Sequence, residues 1–345
     1  MRIVHVAPVW LPVSDQSHGG IETFLAELVA AQQELGHDVT LVAAGGSEVS
    51  VALIEAVPEA LVPLMARGEA DDYAYYEQEL LAAAVDAGRD ADVVHNHAVP
   101  GAIVLDRILH RTPVLHTLHG QITKDLCWSI GHTGRAVVGV SEFQRTAAAS
   151  GGAELFGVVH NGIDMRRVPF SGSGGTGLLF LGRMEPQKAP DLAIAVAREL
   201  GLPLTLAGPV TDRSFYERAV APELGDGVDH VGVLGRNAKF EALGRSTALL
   251  VPSRWAEPFG MVSVEAMAAG TPVVALARGA LPEVVDHGVT GQVVATEAGL
   301  ADAVRAAAIL DRDVVRKTAW CRFHIATVAE RYAEQYERLR APSRA

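Results

Sequence analysis

The chain has 345 residues, and 49% of them are hydrophobic, which is enough to form the cores of two ordinary domains. Its net charge of -12 at pH 7 argues against a nucleic-acid-binding protein, because phosphate backbones are bound by clustered Lys and Arg. The two cysteines, Cys127 and Cys321, lie far apart and without metal-ligand spacing, so we expect neither a disulfide framework nor a structural zinc site.

The N-terminal segment MRIVHVAP is strand-like from its first residues and lacks the charged, apolar and cleavage regions of a signal peptide. No stretch reaches the about 18 uninterrupted apolar residues that a membrane span needs. We therefore expect a cytoplasmic protein without a membrane span.

The first half alternates strand and helix patterns. A helix is predicted at 21–35, where apolar residues recur on one face until Gly36 stops it. Strands are predicted at 3–7, 39–43, 93–94, 114–118 and 137–140. This order predicts a parallel α/β domain. The acidic region 45–92 is interpreted as a solvated helical face.

A Gly/Ser-rich stretch at 171–177 interrupts the alternation and is our hinge candidate. Beyond it, a helix is predicted at 191–200, and strands are predicted at 178–181, 204–207, 228–233, 248–251 and 273–275. A second doubly wound domain follows from this pattern. Apolar residues at helical spacing then predict one long amphipathic helix at 321–340.

Two groups of residues in the second half are candidates for binding a polar ligand. Gly182 and Arg183 follow a predicted strand, and Lys188 comes just before a helix, where a diphosphate would meet backbone N–H groups and two cations. Ordinary surface cations are the alternative. Glu257 lies in a loop, and Glu265 lies in the first turns of the next helix. Surface glutamates are the alternative there.

The first half has weaker signals. Gly19 and Gly20 precede the first helix, either as a tight turn or as a backbone surface for phosphate or sugar. The spacing is not GxGxxG, which argues against a dinucleotide-binding dehydrogenase. His95, His97 and His119 each follow a predicted strand. His95 is equally compatible with a hydrogen-bonded core histidine, and no metal is proposed.

Several motifs in chain order, taken together, resemble the retaining glycosyltransferases of family 4. They are GGIE, VVHNH, TLHG, VSEFQ, HNGID, GRMEPQK, LAGP, LVPSRWAEPFGMVSVEAMAAGTPVVA and PEVVDHGVTG. The resemblance implies the α/β GT-B fold, with two Rossmann-like doubly wound domains facing a cleft. It implies an acceptor-binding domain at 1–168, a donor-binding domain at 169–320, and a C-terminal helix, 321–345, that crosses back to the first domain.

The resemblance also implies roles for donor-binding residues. Glu265 would bind the ribose, Glu257 the transferred sugar, and Arg183 and Lys188 the diphosphate, with Gly182 beside them and Gly19 and Gly20 approaching from the other domain. Phe259, Gly260, Met261 and Val262 would contribute backbone groups, and Val233 and Leu234 would contact the base.

On the acceptor side, the resemblance places His119 beside the reacting sugar and makes it catalytic together with Arg183, Lys188 and Glu257. His95, His97, Ser141 and Asn161 would mark segments that face the acceptor. One departure is Ala189, followed by Pro190, where many relatives have glycine after the lysine.

The implied activity is retaining transfer from a UDP- or GDP-type sugar to a hydroxyl of a soluble acceptor, such as a natural product or small saccharide. No cofactor or metal and no peripheral membrane contact are expected. The alternatives are a nucleotide-sugar 2-epimerase on the same fold and a noncatalytic sugar-nucleotide binding protein. Neither the donor, the acceptor nor the oligomeric state follows from the sequence.

Overall fold

The computed structural model describes residues 1–341, which divide into two compact units. Unit 1 comprises Met1–Ile163 and the chain from Ile325 onward, and unit 2 comprises Asp164–His324. The sequence placed these divisions at 168/169 and 320/321. Within residues 1–341, no helix combines the length and the apolar character needed to cross a bilayer.

Unit 1 is built around a parallel sheet of order β3-β2-β1-β4-β5-β6-β7. Its strands are β1 (Arg2–Val6), β2 (Asp38–Ala44), β3 (Ala52–Val57), β4 (Val93–Asn96), β5 (Val114–Leu118), β6 (Val137–Gly139) and β7 (Gly157–Val158). Its helices before residue 163 are α1 (Gly20–Glu34), α2 (Leu61–Ala66), α3 (Tyr73–Gly88), α4 (Leu105–Ile108), α5 (Lys124–Thr133) and α6 (Glu142–Ser150). The expected doubly wound order is confirmed.

Unit 2 repeats this plan with a parallel sheet of order β10-β9-β8-β11-β12-β13. Its strands are β8 (Leu178–Leu181), β9 (Leu204–Ala207), β10 (Val228–His230), β11 (Ala248–Val251), β12 (Val273–Leu276) and β13 (Gly291–Val294). Its helices are α7 (Pro190–Leu200), α8 (Arg213–Ala219), α9 (Arg236–Arg245), α10 (Met261–Ala268), α11 (Leu281–Val284), α12 (Leu300–Ala307) and α13 (Arg312–Phe323).

The last helix, α14 (Ile325–Arg340), packs on unit 1, as the resemblance implied. Its Tyr332 and Tyr336 are completely buried in a core shared with Phe24 and Leu28 of α1. The single helix predicted at 321–340 is wrong, because extended backbone at His324 separates α13 from α14. Helical periodicity continues across this break, so the pattern alone did not reveal it.

The predicted hinge at 171–177 is also wrong, because this stretch lies inside unit 2. Arg312 Nε donates to the Ser171 carbonyl at 3.0 Å, and Thr247 Oγ1 donates to the Gly175 carbonyl at 2.9 Å. A Cβ at Gly175 would lie 1.4 Å from the Arg245 carbonyl oxygen. Glycine is therefore needed here for close backbone packing.

Other differences concern element ends and edges. The strand predicted at 228–233 ends at His230, because Gly232 takes a left-handed φ of +70°. The edge strands β3, β7 and β13 were not predicted. The acidic region 45–92 contains β3 as well as helices, and in α3 only Leu80, Ala84 and Gly88 are buried, so its other residues form the solvated face that was expected.

Candidate functional site

In the parallel sheet of unit 2, the order in which the chain adds strands reverses between β8 and β11. These two strands are neighbours in the sheet but not in the sequence. In open α/β sheets, ligands bind outside the carboxyl ends of the strands at such a switch point. The loop after β8 carries Arg183 and Lys188, and the loop after β11 carries Ser253 and Glu257. The topology thus brings together two segments that sequence analysis had identified separately.

Lys188 and Glu257 form the central ion pair of this site. Lys188 Nζ lies 2.6 Å from Glu257 Oε1, and Ser253 Oγ donates to the same oxygen at 2.6 Å. Glu257 is buried, whereas the Lys188 side chain is 20% exposed. Among residues 1–341, no hydrogen bond uses Glu257 Oε2, so one carboxylate oxygen is left to accept from a ligand.

Glycine holds the backbone of Glu257 in place. Gly279 has φ +60°, and a Cβ there would lie 2.2 Å from the Glu257 carbonyl oxygen. The Ala280 N–H donates to that carbonyl at 2.8 Å. The loop that presents Glu257 is therefore fixed by the segment after β12, which sequence analysis did not connect with the site.

The loop after β8 is similarly crowded. Gly208, with φ +142°, would place a Cβ 2.0 Å from the Gly182 carbonyl oxygen, so the loops after β8 and β9 touch backbone to backbone. Arg183 pairs with Glu185 at 2.8 Å, and Thr211 Oγ1 donates to Glu185 Oε2 at 3.1 Å. Arg183 is thus present where predicted, with its guanidinium held by a carboxylate of its own loop.

Ala189 adopts the left-handed conformation at φ +56° and is completely buried. The family resemblance implied glycine at this position, a residue that takes this conformation without steric cost. The chain therefore keeps the backbone bend between Lys188 and α7 although it carries a Cβ there.

The chain continues from Glu257 through Phe259 and Gly260 into α10. Gly260, with φ +93°, precedes the helix, and a Cβ there would lie 2.9 Å from Leu281 Cδ2. Phe259 is buried and packs edge-on against Phe323 at 5.9 Å. The N–H groups of Met261 and Val262 lie in the first turn of α10, where helix geometry leaves N–H groups without intrahelical acceptors.

Glu265 forms a second lysine–carboxylate pair. Lys239 Nζ of α9 lies 2.6 Å from Glu265 Oε1, and Glu265 is 6% exposed. Within residues 1–341, Glu265 Oε2 takes part in no hydrogen bond. The predicted base-contacting residues Val233 and Leu234 lie in the loop between β10 and α9, with Val233 46% exposed.

In unit 1, the three predicted histidines belong to a connected hydrogen-bond network. His97 Nδ1 lies 2.9 Å from His119 Nε2, and His5 Nδ1 of β1 lies 3.1 Å from His97 Nε2. Gln32 Oε1 of α1 accepts from His5 Nε2 at 2.7 Å, and Gln32 Nε2 donates to the Tyr336 hydroxyl at 2.9 Å.

His95 occupies a branch of the same network and is completely buried. Its Nδ1 lies 2.6 Å from the Tyr336 hydroxyl, and its Nε2 lies 2.7 Å from Thr117 Oγ1. Of the two interpretations left open for His95, the structure supports the core histidine.

Burial keeps these histidines neutral. It lowers the pKa of His5 and that of His119 to about 4, and it lowers the pKa of His95 and His97 well below the usual value. His119 Nδ1 is buried without a hydrogen-bond partner among the described residues. A donor from a ligand would satisfy it.

His5, His95 and His97 bring ring nitrogens within 4.8 Å of one another, as in a metal centre. However, both nitrogens of His95 are engaged by Tyr336 and Thr117, and both nitrogens of His5 are engaged by His97 and Gln32. The hydrogen bonds therefore account for this cluster without an ion.

The remaining predicted residues occupy three places in unit 1. Gly20 starts α1 and is exposed, and Gly19 is covered by Glu22, whose Oε2 would lie 1.8 Å from a Cβ at Gly19. Ser141 is buried and accepts from the Gln144 N–H at the start of α6. Asn161 is 5% exposed, and its Oδ1 has no hydrogen-bond partner in the described residues.

Sequence analysis missed several residues that the structure adds to these groups: Ser253, Lys239 and Gly279 in unit 2, and His5, Gln32, Thr117 and Tyr336 in unit 1. Ser253 could have been found from its place two residues after the end of β11, in the loop that carries Glu257. The others carry no local signal, because each becomes relevant only through a contact distant in sequence.

Comparisons with known proteins agree on one family. The family model described as "Glycosyl transferases group 1" matches residues 164–314, and the model "Glycosyltransferase Family 4" matches residues 18–167. A glycogen synthase of Mycobacterium tuberculosis (strain CDC 1551 / Oshkosh) is 35% identical over 247 residues, a match that spans 62% of this chain and 59% of that protein.

Two solved structures extend the likeness to nearly the whole chain. AviGT4, a glycosyltransferase involved in avilamycin A biosynthesis, is 28% identical with a TM-score of 0.77, covering 99% of this chain and 98% of its own. Anabaena Alr3699/HepE, in complex with UDP-glucose, is 19% identical with a TM-score of 0.74, covering 98% and 100% of the two chains.

Proposed function

Because the chain belongs to glycosyltransferase family 4, we propose that it transfers a sugar from a nucleoside-diphosphate sugar to an acceptor hydroxyl, with retention of anomeric configuration. The observation that carries the proposal is the Lys188–Glu257 pair at the switch point between β8 and β11. In this pair, a cation suited to phosphate and a carboxylate suited to sugar hydroxyls lie 2.6 Å apart, which supports the proposal.

The diphosphate of the donor would bind to the loop after β8 and to the first turn of α10. Lys188 and Arg183 supply positive charge, and the N–H groups of Met261 and Val262 supply hydrogen-bond donors. Both cations are paired with carboxylates in this structure, Lys188 with Glu257 and Arg183 with Glu185. Binding of the donor would exchange part of this carboxylate pairing for phosphate.

The two glutamates would divide the rest of the donor between them. Each uses Oε1 for a lysine, and no hydrogen bond of the described residues reaches Oε2. Ionised carboxylates accept strong hydrogen bonds from hydroxyl groups. We assign Glu257 to the transferred sugar, Glu265 to the ribose, and the exposed loop with Val233 and Leu234 to the base.

Catalysis would depend on stabilising the departing diphosphate. Negative charge develops on the phosphate oxygens as the glycosidic bond breaks, and preorganised donors aimed at that charge lower the barrier. Front-side attack, in which the departing phosphate oxygen receives the proton of the acceptor hydroxyl, would retain the configuration. With Lys188, Arg183 and the α10 N–H groups in this role, the reaction as proposed uses no metal or cofactor.

The acceptor would be a small molecule that carries a hydroxyl group and would bind to unit 1, with His119, Ser141 and Asn161 as candidate contacts. In unit 1, His119 Nδ1 and Asn161 Oδ1 are buried polar atoms that no hydrogen bond within residues 1–341 satisfies. The likeness to AviGT4 supports a natural-product acceptor. The protein as proposed needs neither nucleic acid nor a membrane.

The test uses the full chain with UDP-glucose, GDP-mannose and other nucleotide sugars, each with a panel of small hydroxylated acceptors. We expect release of nucleoside diphosphate that depends on the acceptor, and a product whose anomeric configuration, measured by NMR, matches that of the donor. Lys188→Ala should abolish most turnover, whereas Lys317→Ala, at an exposed lysine of the same unit, should not.

Three results would contradict the proposal. Inverted configuration would overturn the retaining mechanism. Interconversion of nucleotide sugars without an acceptor would indicate an epimerase. Donor binding, detected as an increase in melting temperature, without transfer to any acceptor would indicate a binding protein.

A further inference from the structure

The network of unit 1 is a single directional chain of hydrogen bonds that ends at His119. Each neutral imidazole carries one N–H and one lone pair, so the role of one nitrogen determines the role of the other. Four of the links join side chains end to end: Gln32 to His5, His5 to His97, His97 to His119, and Gln32 to Tyr336.

Gln32 sets the direction of this chain. Its carbonyl oxygen faces His5 Nε2, so this nitrogen must carry the proton and His5 Nδ1 must accept. His97 Nε2 then donates to His5, and His97 Nδ1 accepts from His119 Nε2. His119 is left with a lone pair on Nδ1, the atom that has no partner among residues 1–341.

The other end of the chain is consistent with the same direction. The Tyr336 hydroxyl accepts from Gln32 Nε2, and its own proton is available for His95 Nδ1 at 2.6 Å. His95 Nε2 then donates to Thr117 Oγ1, which donates to the Tyr332 hydroxyl at 3.2 Å. Each hydrogen bond from Gln32 to Tyr332 thus has one donor and one acceptor when the network runs in this direction.

We propose that Gln32, through His5 and His97, holds His119 as the Nε2–H tautomer, so that Nδ1 accepts a hydrogen bond from a hydroxyl group of the substrate. Gln32, His5 and His97 are positioning residues, and α14 takes part because Tyr336 orients the Gln32 amide. The use of Nδ1 by a sugar or acceptor hydroxyl rests on the proposed function, whereas the tautomer does not.

The tautomer is measured directly by ¹⁵N NMR of the imidazole rings, with His119 assigned by comparison with His119→Gln. In the wild-type protein at pH 7 we expect the His119 Nε2 resonance to be of the protonated type and the Nδ1 resonance to be of the unprotonated type. The reverse assignment would overturn the proposal, because it would mean that the whole chain runs in the opposite direction.

Substitutions at Gln32 test the relay, by which we mean the control of the His119 tautomer by Gln32 through His5 and His97. Gln32→Glu keeps an acceptor opposite His5 Nε2 and should retain the His119 tautomer, whereas Gln32→Leu removes the acceptor and should give a mixture of tautomers. Tyr332→Phe is the matched control, because Tyr332 is equally buried on α14 but lies on the branch that does not lead to His119. An unchanged His119 spectrum in Gln32→Leu would contradict the relay.

Two further measurements separate the possible outcomes. If the proposed function holds, Gln32→Leu should lower kcat/KM about tenfold, the effect expected for one lost hydrogen bond to the substrate. If the protein has another function, the tautomer result is still expected. Stoichiometric zinc in the purified protein that is lost in His5→Gln would overturn the relay, because a metal ion would then determine the nitrogen roles.

Discussion

The two units of this protein use their titratable side chains in opposite ways. Unit 2 places lysines against carboxylates at strand ends and helix starts, as in Lys188–Glu257 and Lys239–Glu265, so its site is held by full charges. Unit 1 buries histidines that remain neutral and are connected by hydrogen bonds. The first arrangement suits a charged diphosphate, and the second suits uncharged hydroxyl groups.

The two arrangements also control different properties of a bound ligand, namely how strongly it is attracted and how its hydrogen bonds are oriented. An ion pair attracts from any approach, whereas a neutral hydrogen-bond chain specifies which atom donates and which accepts. Unit 2 should therefore govern how strongly the donor is held and its leaving group stabilised, and unit 1 should govern how hydroxyl groups are oriented. This assignment can be tested by perturbing each unit in turn.

The largest expected effect is on catalysis in unit 2. Lys188→Ala removes a cation from the proposed site of the leaving group and should lower kcat by about 10²–10³-fold, equivalent to about 2.7–4 kcal/mol. Steady-state rates of nucleotide release measure it, with Lys317→Ala as the matched control. A kcat within threefold of wild type would show that Lys188 does not stabilise the leaving group.

The second prediction concerns acid and unit 1. For His5 and His119, whose pKa values are about 4 in the folded state against 6.5 in model peptides, the unfolded chain binds more protons between these values. Stability is therefore lost as the pH falls from 6.5 to 4, by about 3 kcal/mol for each such histidine. Burial also lowers the pKa of His116, to about 3, so this histidine adds to the loss of stability in acid.

Glu22 acts in the opposite sense, because burial raises its pKa to about 7 from 4.5. The folded chain then holds the additional proton, so Glu22 favours folding as the pH falls from 7 to 4.5. The effect of this one carboxyl group is smaller than that of the several histidines, and Glu22→Gln should steepen the loss of stability in acid.

Hydrogen exchange, corrected for its intrinsic pH dependence, tests the contrast between the units. It should show β4 and β5 losing protection in acid before β8 and β11. Simultaneous loss would contradict this contrast.

Much of unit 2 could be predicted from the sequence because its signals are local. Lys188, Glu257 and Glu265 lie beside strand ends, glycines and helix starts that periodicity reveals. The histidine network could not be predicted, since Gln32 and Tyr336 are separated by 304 residues and meet only in the folded core. The division of the terminal helix at His324 was missed because neither Gly nor Pro marks it.

The third prediction compares two tyrosines of α14 that differ in their place in the network. Tyr336→Phe leaves both Gln32 Nε2 and His95 Nδ1 without a partner and should cost about 1–3 kcal/mol. Tyr332→Phe removes only the acceptor of Thr117 Oγ1 and should cost about 0.5–1.5 kcal/mol. Urea unfolding measures both losses, and equal losses would indicate that the second hydrogen bond of the Tyr336 hydroxyl adds nothing to stability.

The smallest expected effect concerns Ala189, the residue after Lys188 in unit 2. Ala189 has φ +56°, a conformation that costs an L-residue with a Cβ about 1–2 kcal/mol and that glycine takes freely. Ala189→Gly should relieve this strain, but it gives the unfolded chain more freedom, so we expect a net gain of at most about 1 kcal/mol. Urea unfolding measures the gain, and nucleotide release should proceed at the wild-type rate because Lys188 keeps its position. A loss of stability would mean that the Cβ of Ala189 contributes more through packing than its backbone conformation costs.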